Sequence, residues 1–459
     1  MTKNNTTMKT TYFYSLATLA LLTACTNSDE FESSTPNGQQ KVEFAAPFVG
    51  KGLTRASGDI NAEGLKSFNV KVWGQKVNKP ASGEFNAATA VASPIQTDAP
   101  FNGGDHISWN STTGIWASSK DYYYPRDKYT FRFAAFAPVE ALNTATGSDP
   151  INGVVVNMNS SSLTFNNATA GEYGMTNIPL VQQIDNTTGS EQGWDLLVSN
   201  RVLSQPTNGV TDRTPISFTF QHILSRLSFY VYTTCSEPNA VKVKNITAYL
   251  PKTTNGTACY NQNVAQEKPT AEDRTNTIYN STNSTWESAK HDTWKWTAGA
   301  FSDITVSSAS DFKTQIDDVL ASTTYDKCAV FDDASGSVVS YKTDFSAAIG
   351  SAAPAIGTEF FLAPTPTNET GAGNVAKYHF YVTVNYTVNE NGTRKEYYCV
   401  LPLYESDFYR FKQGWHHKLY LKLDSKIIRF ISASVDNWDN HNEDMTVSRE
   451  VSGWTAEQN

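Results

Sequence analysis

Charge is scarce in this sequence. Of 459 residues only 18% are charged, below the quarter usual for a globular protein. The 36 Lys and Arg and the 45 Asp and Glu leave a net charge of −9, and no run of basic residues stands out. That disfavours nucleic acid as a partner. Histidine and cysteine are also few, at 7 and 5, and no two cysteines form a CxxC pair, which argues against a zinc centre. His416 and His417 are adjacent, and on a strand they face opposite ways, so they do not share a metal. There is no GxSxG, no HExxH, no Walker loop and no GxGxxG following a strand. Nothing places two carboxylates together as a glycosidase needs. No catalytic, cofactor-binding or metal-binding residue is assigned, and the chain reads as a non-enzyme. DNWDNHNED (436–444) lacks the glycine and terminal glutamate of an EF-hand loop and reads as a solvated acidic stretch.

Helical periodicity is nearly missing too. The best candidate is SDFKTQIDDVLAS, with Phe312, Ile316, Val319 and Leu320 on one face and Ser310 as its cap. What is present is alternation. YTFRFAAFAP sets Tyr129, Phe131, Phe133 and Ala135 against Thr130 and Arg132. ISFTFQH sets Ile216, Phe218 and Phe220 against Ser217, Thr219 and Gln221. LSFYVY sets Leu227, Phe229 and Val231 against Ser228, Tyr230 and Tyr232. KLYLKL sets Leu419, Leu421 and Leu423 against Lys418, Tyr420 and Lys422, and IIRFISASV continues as another strand. Period two with one apolar face is the pattern of a half-buried strand. In YHFYVTVNYTVNENGTRKEYYCVLPL, Asn391-Gly392 separates two such runs, the strongest short-range hairpin signal. Many short strands, long Asn/Thr/Ser/Gly loops near 139–175 and 252–300, and no βαβ rhythm predict an all-β fold of sandwiches. The polar segment 199–215 is the candidate junction, dividing an N-terminal domain 56–212 from a C-terminal domain 213–459.

The first 24 residues carry Lys3 and Lys9 and then an apolar run of about a dozen residues, too short to span a membrane and built like a secretory signal. It ends Leu22-Thr23-Ala24-Cys25, the form of a bacterial lipobox. Cys25 is the expected lipidation site and the new N-terminus, which leaves 435 residues (459 minus 24). The remaining cysteines, Cys235, Cys259, Cys328 and Cys399, allow three disulfide pairings or stay as buried thiols. Residues 25–55 form a lipidated tether followed by a strand, with Val42, Phe44, Ala46 and Phe48 at period two. After glycines 50 and 52 comes Leu53-Thr54-Arg55-Ala56-Ser57-Gly58, a basic site in small residues that suits a trypsin-like protease cutting between Arg55 and Ala56. Trp109, Trp116 and Tyr122 to Tyr124 cluster ahead of the 129–137 strand. They suit either a sugar-stacking surface or a core.

These pieces, taken in order, resemble the fimbrillin family, the type V pilins of Gram-negative anaerobes of gut and mouth. The resemblance rests on the lipobox at Cys25, the strand with Thr54-Arg55-Ala56, Trp116 followed by YYYPRDKYTFRFAAFAP, DLLVSN at 195–200, FTFQHILSRLSFYV at 218–231, and FKQGWHHKLYLKL with SVDNW at 411–438. It implies two tandem transthyretin-like β-sandwich domains with a few short helices and long loop insertions. It also implies a route. An outer-membrane lipoprotein precursor is cleaved after Arg55 by a trypsin-like maturation protease, loses strand 42–55 as an edge strand of one sandwich, and joins other fimbrial subunits by donor-strand exchange in a fimbrium that serves adhesion to a host or glycan ligand. The tail 439–459, with Met445, Val447 and Val451 as apolar plugs, is the candidate donor strand. The alternative reading is a surface lipoprotein that binds glycans through its Trp and Tyr residues.

Overall fold

The structure is a computed structural model. It describes residues 40–49, 62–77, 100–124, 130–142, 153–159, 163–166, 173–184, 194–204, 213–236, 241–251, 256–262, 279–280, 285–286, 293–296, 325–349, 355–364, 379–390, 392–404, 411, 413–424, 428–437, 445–452 and 454–458. Among these, helix is limited to Phe345–Ile349 and the 3-10 turns Gly64–Ser67 and Val139–Ala141. The rest of the regular structure is strand. The expected helix at 310–322 lies outside the described residues.

An eight-stranded sheet organises the N-terminal half. Its path runs Phe48–Val49, Thr219–His222, Leu197–Ser199, Thr130–Ala137, Val70–Val77, Asp105–Asn110, Ile115–Ser118, and Val202–Ser204 also pairs with Thr130–Ala137. The first pair is parallel and the others are antiparallel. The alternation of TFRFAAFA divides its side chains as period two requires. Phe131, Phe133, Ala135 and Ala137 enter one core, while Ala134 and Phe136 enter another. The second face is the surprise. Thr130 and Arg132, expected on a solvent face, are both buried. Met175, Ile178, Tyr260 and Trp294 of a four-stranded sheet (Thr293–Trp296, Thr257–Asn261, Met175–Pro179, Val155–Val156) share the core of Ala134 and Phe136 on that face. The Phe165 ring meets Trp73 at 5.7 Å and Phe136 at 6.2 Å there, edge to face. A sheet clothed on both sides erases the polar-out half of the pattern.

The C-terminal half holds two larger sheets. One is six-stranded: Met445–Ser452, Ile428–Asn437, Trp415–Leu423, Ser225–Tyr232, Glu359–Leu362, Val181–Ile184. The other is five-stranded: Tyr325–Val338, Val241–Pro251, His379–Glu390, Thr393–Tyr404, Trp454–Gln458. Leu227, Phe229, Leu419, Leu421 and Leu423 of the first share a core with Ile246, Ala248, Val382, Val384, Cys399 and Leu401 of the second. The hairpin at Asn391-Gly392 is present. Residues 379–390 pair with 393–404 through to Glu390 opposite Thr393, and Gly392 sits at φ 84°, where glycine is unstrained. Cys235, Cys259, Cys328 and Cys399 stand as thiols rather than disulfides.

The sheets do not separate at the 212/213 junction. Thr219–His222, beyond it, pairs in the N-terminal sheet, and Val181–Ile184, before it, edges the six-stranded one. One passage between them, among the described residues, is Ile223-Leu224, both fully buried. Ile223 N–H donates to the Leu196 carbonyl at 3.0 Å, and the Leu224 carbonyl accepts from Gly414 N–H at 2.9 Å. Beside them His222 Nδ1 lies 2.9 Å from the buried Asp195 carboxylate.

One side of the C-terminal pair of sheets is sealed by a short stitch. Ile356 N–H donates to Phe229 O at 2.7 Å, and Thr358 N–H to Val330 O at 2.6 Å. Gly357 between them has φ 70°, and a Cβ there would lie 1.8 Å from the Val330 carbonyl oxygen. Gly357→Ala should therefore destabilise the protein by at least about 2 kcal/mol in urea unfolding, whereas Gly392→Ala, whose Cβ would meet nothing within 4 Å, should cost only its backbone strain, about 1 kcal/mol.

Candidate functional site

Residues 40–49 are held from both sides. On one side the Val42 N–H donates to Tyr122 O at 2.8 Å and Tyr124 N–H to Gln40 O at 2.9 Å, with antiparallel bridges Lys41 to Tyr123 and Phe44 to Trp116. On the other side Ala45 N–H donates to Ile216 O and Ile216 N–H to Glu43 O, both at 2.8 Å. Phe48 and Val49 then continue in parallel with Thr219 and Phe220. The segment thus bridges Ile115–Ser118, the last strand of the path, to the stretch Ile216–Phe220 and closes the sheet on itself. The resemblance implied an edge strand; the geometry is that of a closing strand with two neighbours, which satisfies backbone groups that would otherwise line two open edges.

Its side chains enter the core inside that ring. Val42 and Val49 are buried, and Phe44 packs partly buried against the same cluster. The Phe44 ring stands edge-on to Phe101 at 5.5 Å and stacks on Phe218 at 6.1 Å. The expected period two holds for Val42 and Phe44 but not beyond, because Ala46 is exposed and Val49, of the opposite parity, is buried. Pro47 lies between them. It has no N–H to donate to a ladder, and the pairing resumes after it in a new phase.

A polar clamp fixes the segment's start. Gln40 Nε2 donates to the Arg213 carbonyl and Arg213 N–H donates to Gln40 Oε1, both at 2.7 Å. The side-chain amide thereby copies one rung of a strand ladder. The Arg213 guanidinium donates to Ser204 O at 2.7 Å and lies over the rings of Tyr124 and Phe131 at 4.6 and 4.9 Å. Ser204 Oγ donates to the Tyr124 hydroxyl at 3.0 Å, and burial pushes that phenol up to about 12. The ion pair of Lys41 with Asp121, at 2.5 Å, is exposed at both ends and adds little.

Gln40, Arg213 and Ser204 carry no period or motif that marks them, and sequence reasoning passed over them. Only the chain path brings 40 and 213 together. Cys25, Arg55 and Ala56 lie outside the described residues. Arg55 nevertheless falls between the paired segment and the turn that begins at 62, so a cut there would leave residues 40–49 held by non-covalent contacts alone.

The candidate donor tail is seated on its own molecule. Met445–Ser452 forms the outer strand of the six-stranded sheet, with Met445 opposite Val435, Val447 opposite Ala433 and Val451 opposite Phe430. Trp454–Gln458 forms the outer strand of the five-stranded sheet. The tail therefore straps the two sheets together along one side.

The aromatic cluster forms core rather than platform. Trp116 and Tyr124 are buried, and Trp109 and Tyr122 pack partly buried against the same cluster. Lys66 Nζ covers the Trp109 ring at 4.6 Å. His416 and His417 face opposite ways. His417 packs in the core, edge-on to Phe411 at 4.9 Å. His416 joins a buried polar group: Ser228 Oγ lies 2.6 Å from both His416 Nε2 and Glu359 Oε1, and Glu359 pairs with Arg226. Serine here stands between carboxylate and imidazole, the reverse of the histidine-centred relay used in acyl transfer. All four groups are buried, and the cluster pairs its own charges. No group of three or more His, Cys, Asp or Glu among the described residues is placed to hold a metal ion.

No family model matches the sequence, and no curated protein matches it. Solved structures do. A fimbrial protein of Bacteroides vulgatus aligns over 87% of this chain and 99% of its own, at 13% identity and a TM-score of 0.41. A fimbrial assembly protein of Parabacteroides distasonis aligns over 90% of this chain and 99% of its own, at 9% identity and a TM-score of 0.29.

Burial, reinforced by Arg226, holds the His416 imidazole well below its ordinary 6.5. The folded chain keeps it neutral while the unfolded chain takes up a proton, so its contribution is intact above neutral pH and lost as pH falls below about 6.5. Unfolding free energy should drop there by about 1.4 kcal/mol per pH unit from this group, and His416→Gln should flatten that part of a stability-versus-pH curve.

Proposed function

We propose that this chain is a subunit of a surface fimbrium that serves adhesion, with two transthyretin-like sandwich domains. It is exported as an outer-membrane lipoprotein through Cys25, cut between Arg55 and Ala56 by a trypsin-like protease, and joined to other subunits by strand replacement. The observation that carries this reading is the two-sided pairing of residues 40–49. A strand that closes a sheet, lies wholly ahead of a basic cleavage site and contributes apolar side chains to the core is a removable plug. Its loss would uncover two backbone edges and the cavity left by Val42, Phe44 and Val49, each worth about 1.5–3 kcal/mol of burial when fully enclosed. Such a gap is filled most favourably by another extended strand, through main-chain hydrogen bonds and alternating side chains. Head-to-tail filling does not close, so it propagates as a filament. Because the lipid is on the N-terminal fragment, the same cut frees the subunit from the membrane.

Limited trypsin treatment of the folded precursor should cut first after Arg55, as mass spectrometry of the products will show. The cut protein should then unfold at a temperature several degrees lower and regain stability on adding a synthetic peptide of residues 40–49. Arg55→Ala should keep its full stability under the same treatment. A cut protein that neither weakens nor takes up any strand peptide would remove the basis of this reading.

A further inference from the structure

We infer that the groove under residues 40–49 selects a strand with a side-chain amide at its first position, an aliphatic residue at its third and phenylalanine at its fifth, and that the strand comes from a different polypeptide, not from the tail of a second copy of this chain. The inference rests on the strand-replacement reading above and specifies its partner. At the first position, Gln40 donates to and accepts from the backbone of Arg213 at 2.7 Å in each direction. Only an amide offers a donor and an acceptor together in that geometry; a carboxylate has acceptors alone. The third position is the buried Val42. The fifth is Phe44, which meets Phe101 edge-on and Phe218 face to face. An aliphatic side chain there would forfeit both ring contacts and leave space behind.

Direction is fixed as well, since the strand must run parallel to 216–220 and antiparallel to 116–123. The chain's own tail does not fit in that direction. Setting Met445 and Val447 at the third and fifth positions brings Glu443 to the amide position and no ring to the fifth. Trp454 is the one Phe, Tyr or Trp in 439–459. Placing it fifth brings Ser452 to the aliphatic position and Glu450 to the amide position. The tail is also already paired, on Ile428–Asn437 and on Thr393–Tyr404, and would have to abandon both ladders to be donated.

The test uses the full-length chain carrying Val42→Ser and Phe44→Ala, which loosens the resident segment, and three fluorescent peptides. One has the sequence of residues 40–49, the second has alanine in place of its phenylalanine at position 44, and the third has the sequence of residues 445–458. The first should bind at least about tenfold more tightly than either of the others. Should the double variant not fold, Gln40→Glu in the full-length chain loosens the same segment without touching its apolar contacts, and the same ranking is expected. Binding of the tail peptide within about twofold of the first would overturn the selectivity while leaving strand replacement standing. Binding of none of the three would overturn strand replacement itself, and this inference with it.

Discussion

The architecture depends on one set of backbone hydrogen bonds, those that residues 40–49 make to the two ends of the N-terminal sheet. Without them that sheet has two open edges and an uncovered core. With them it is closed, and the apolar faces of Thr130–Ala137 and Thr219–His222 are lined from every side. The contacts combine ladder rungs at Val42, Ala45 and Ile216, three apolar side chains, and the amide of Gln40 standing in for one further rung. Each hydrogen bond is worth only about 1 kcal/mol net. Their removal matters more than their mean, because each would leave a donor or acceptor in a partly apolar groove.

The two chain ends are treated differently. The N-terminal segment is inserted between neighbours, ahead of a basic site, and needs a single cut to become a separate peptide. The C-terminal tail lies on the outside of two sheets and stays covalently continuous with them. An inserted strand that leaves creates a slot of defined direction and chemistry, whereas an outer strand that leaves uncovers two flat edges. The slot is the better-specified site, which is why side-chain selectivity can be argued for it and not for the edges beneath the tail.

Much of this was legible in the sequence. The alternating runs at 216–220 and 419–423 and the Asn391-Gly392 hairpin appear where period two and turn chemistry put them, because each has one face on a core and a local signal for its register. The solvent faces were legible only where they stayed solvent. Arg132 and Ser228 read as outward polar residues and are buried, since polarity in sequence records a need for partners and not a place in water. Arg226 and Glu359 are 133 positions apart, and Gln40 and Arg213 are 173 apart; pairs so distant have no local signature. The parity change at Pro47 had a visible cause, a residue that cannot donate, but its outcome depended on the neighbouring strands.

The crossing at Ile223-Leu224 has a mechanical meaning. The two residues are enclosed and pinned through their own main-chain atoms to both halves, with the His222–Asp195 pair alongside. Tension passing through this crossing therefore meets no slack segment to pay out. It is delivered directly into the seven-residue parallel ladder between Ser225–Tyr232 and Trp415–Leu423, the first paired element on the C-terminal side.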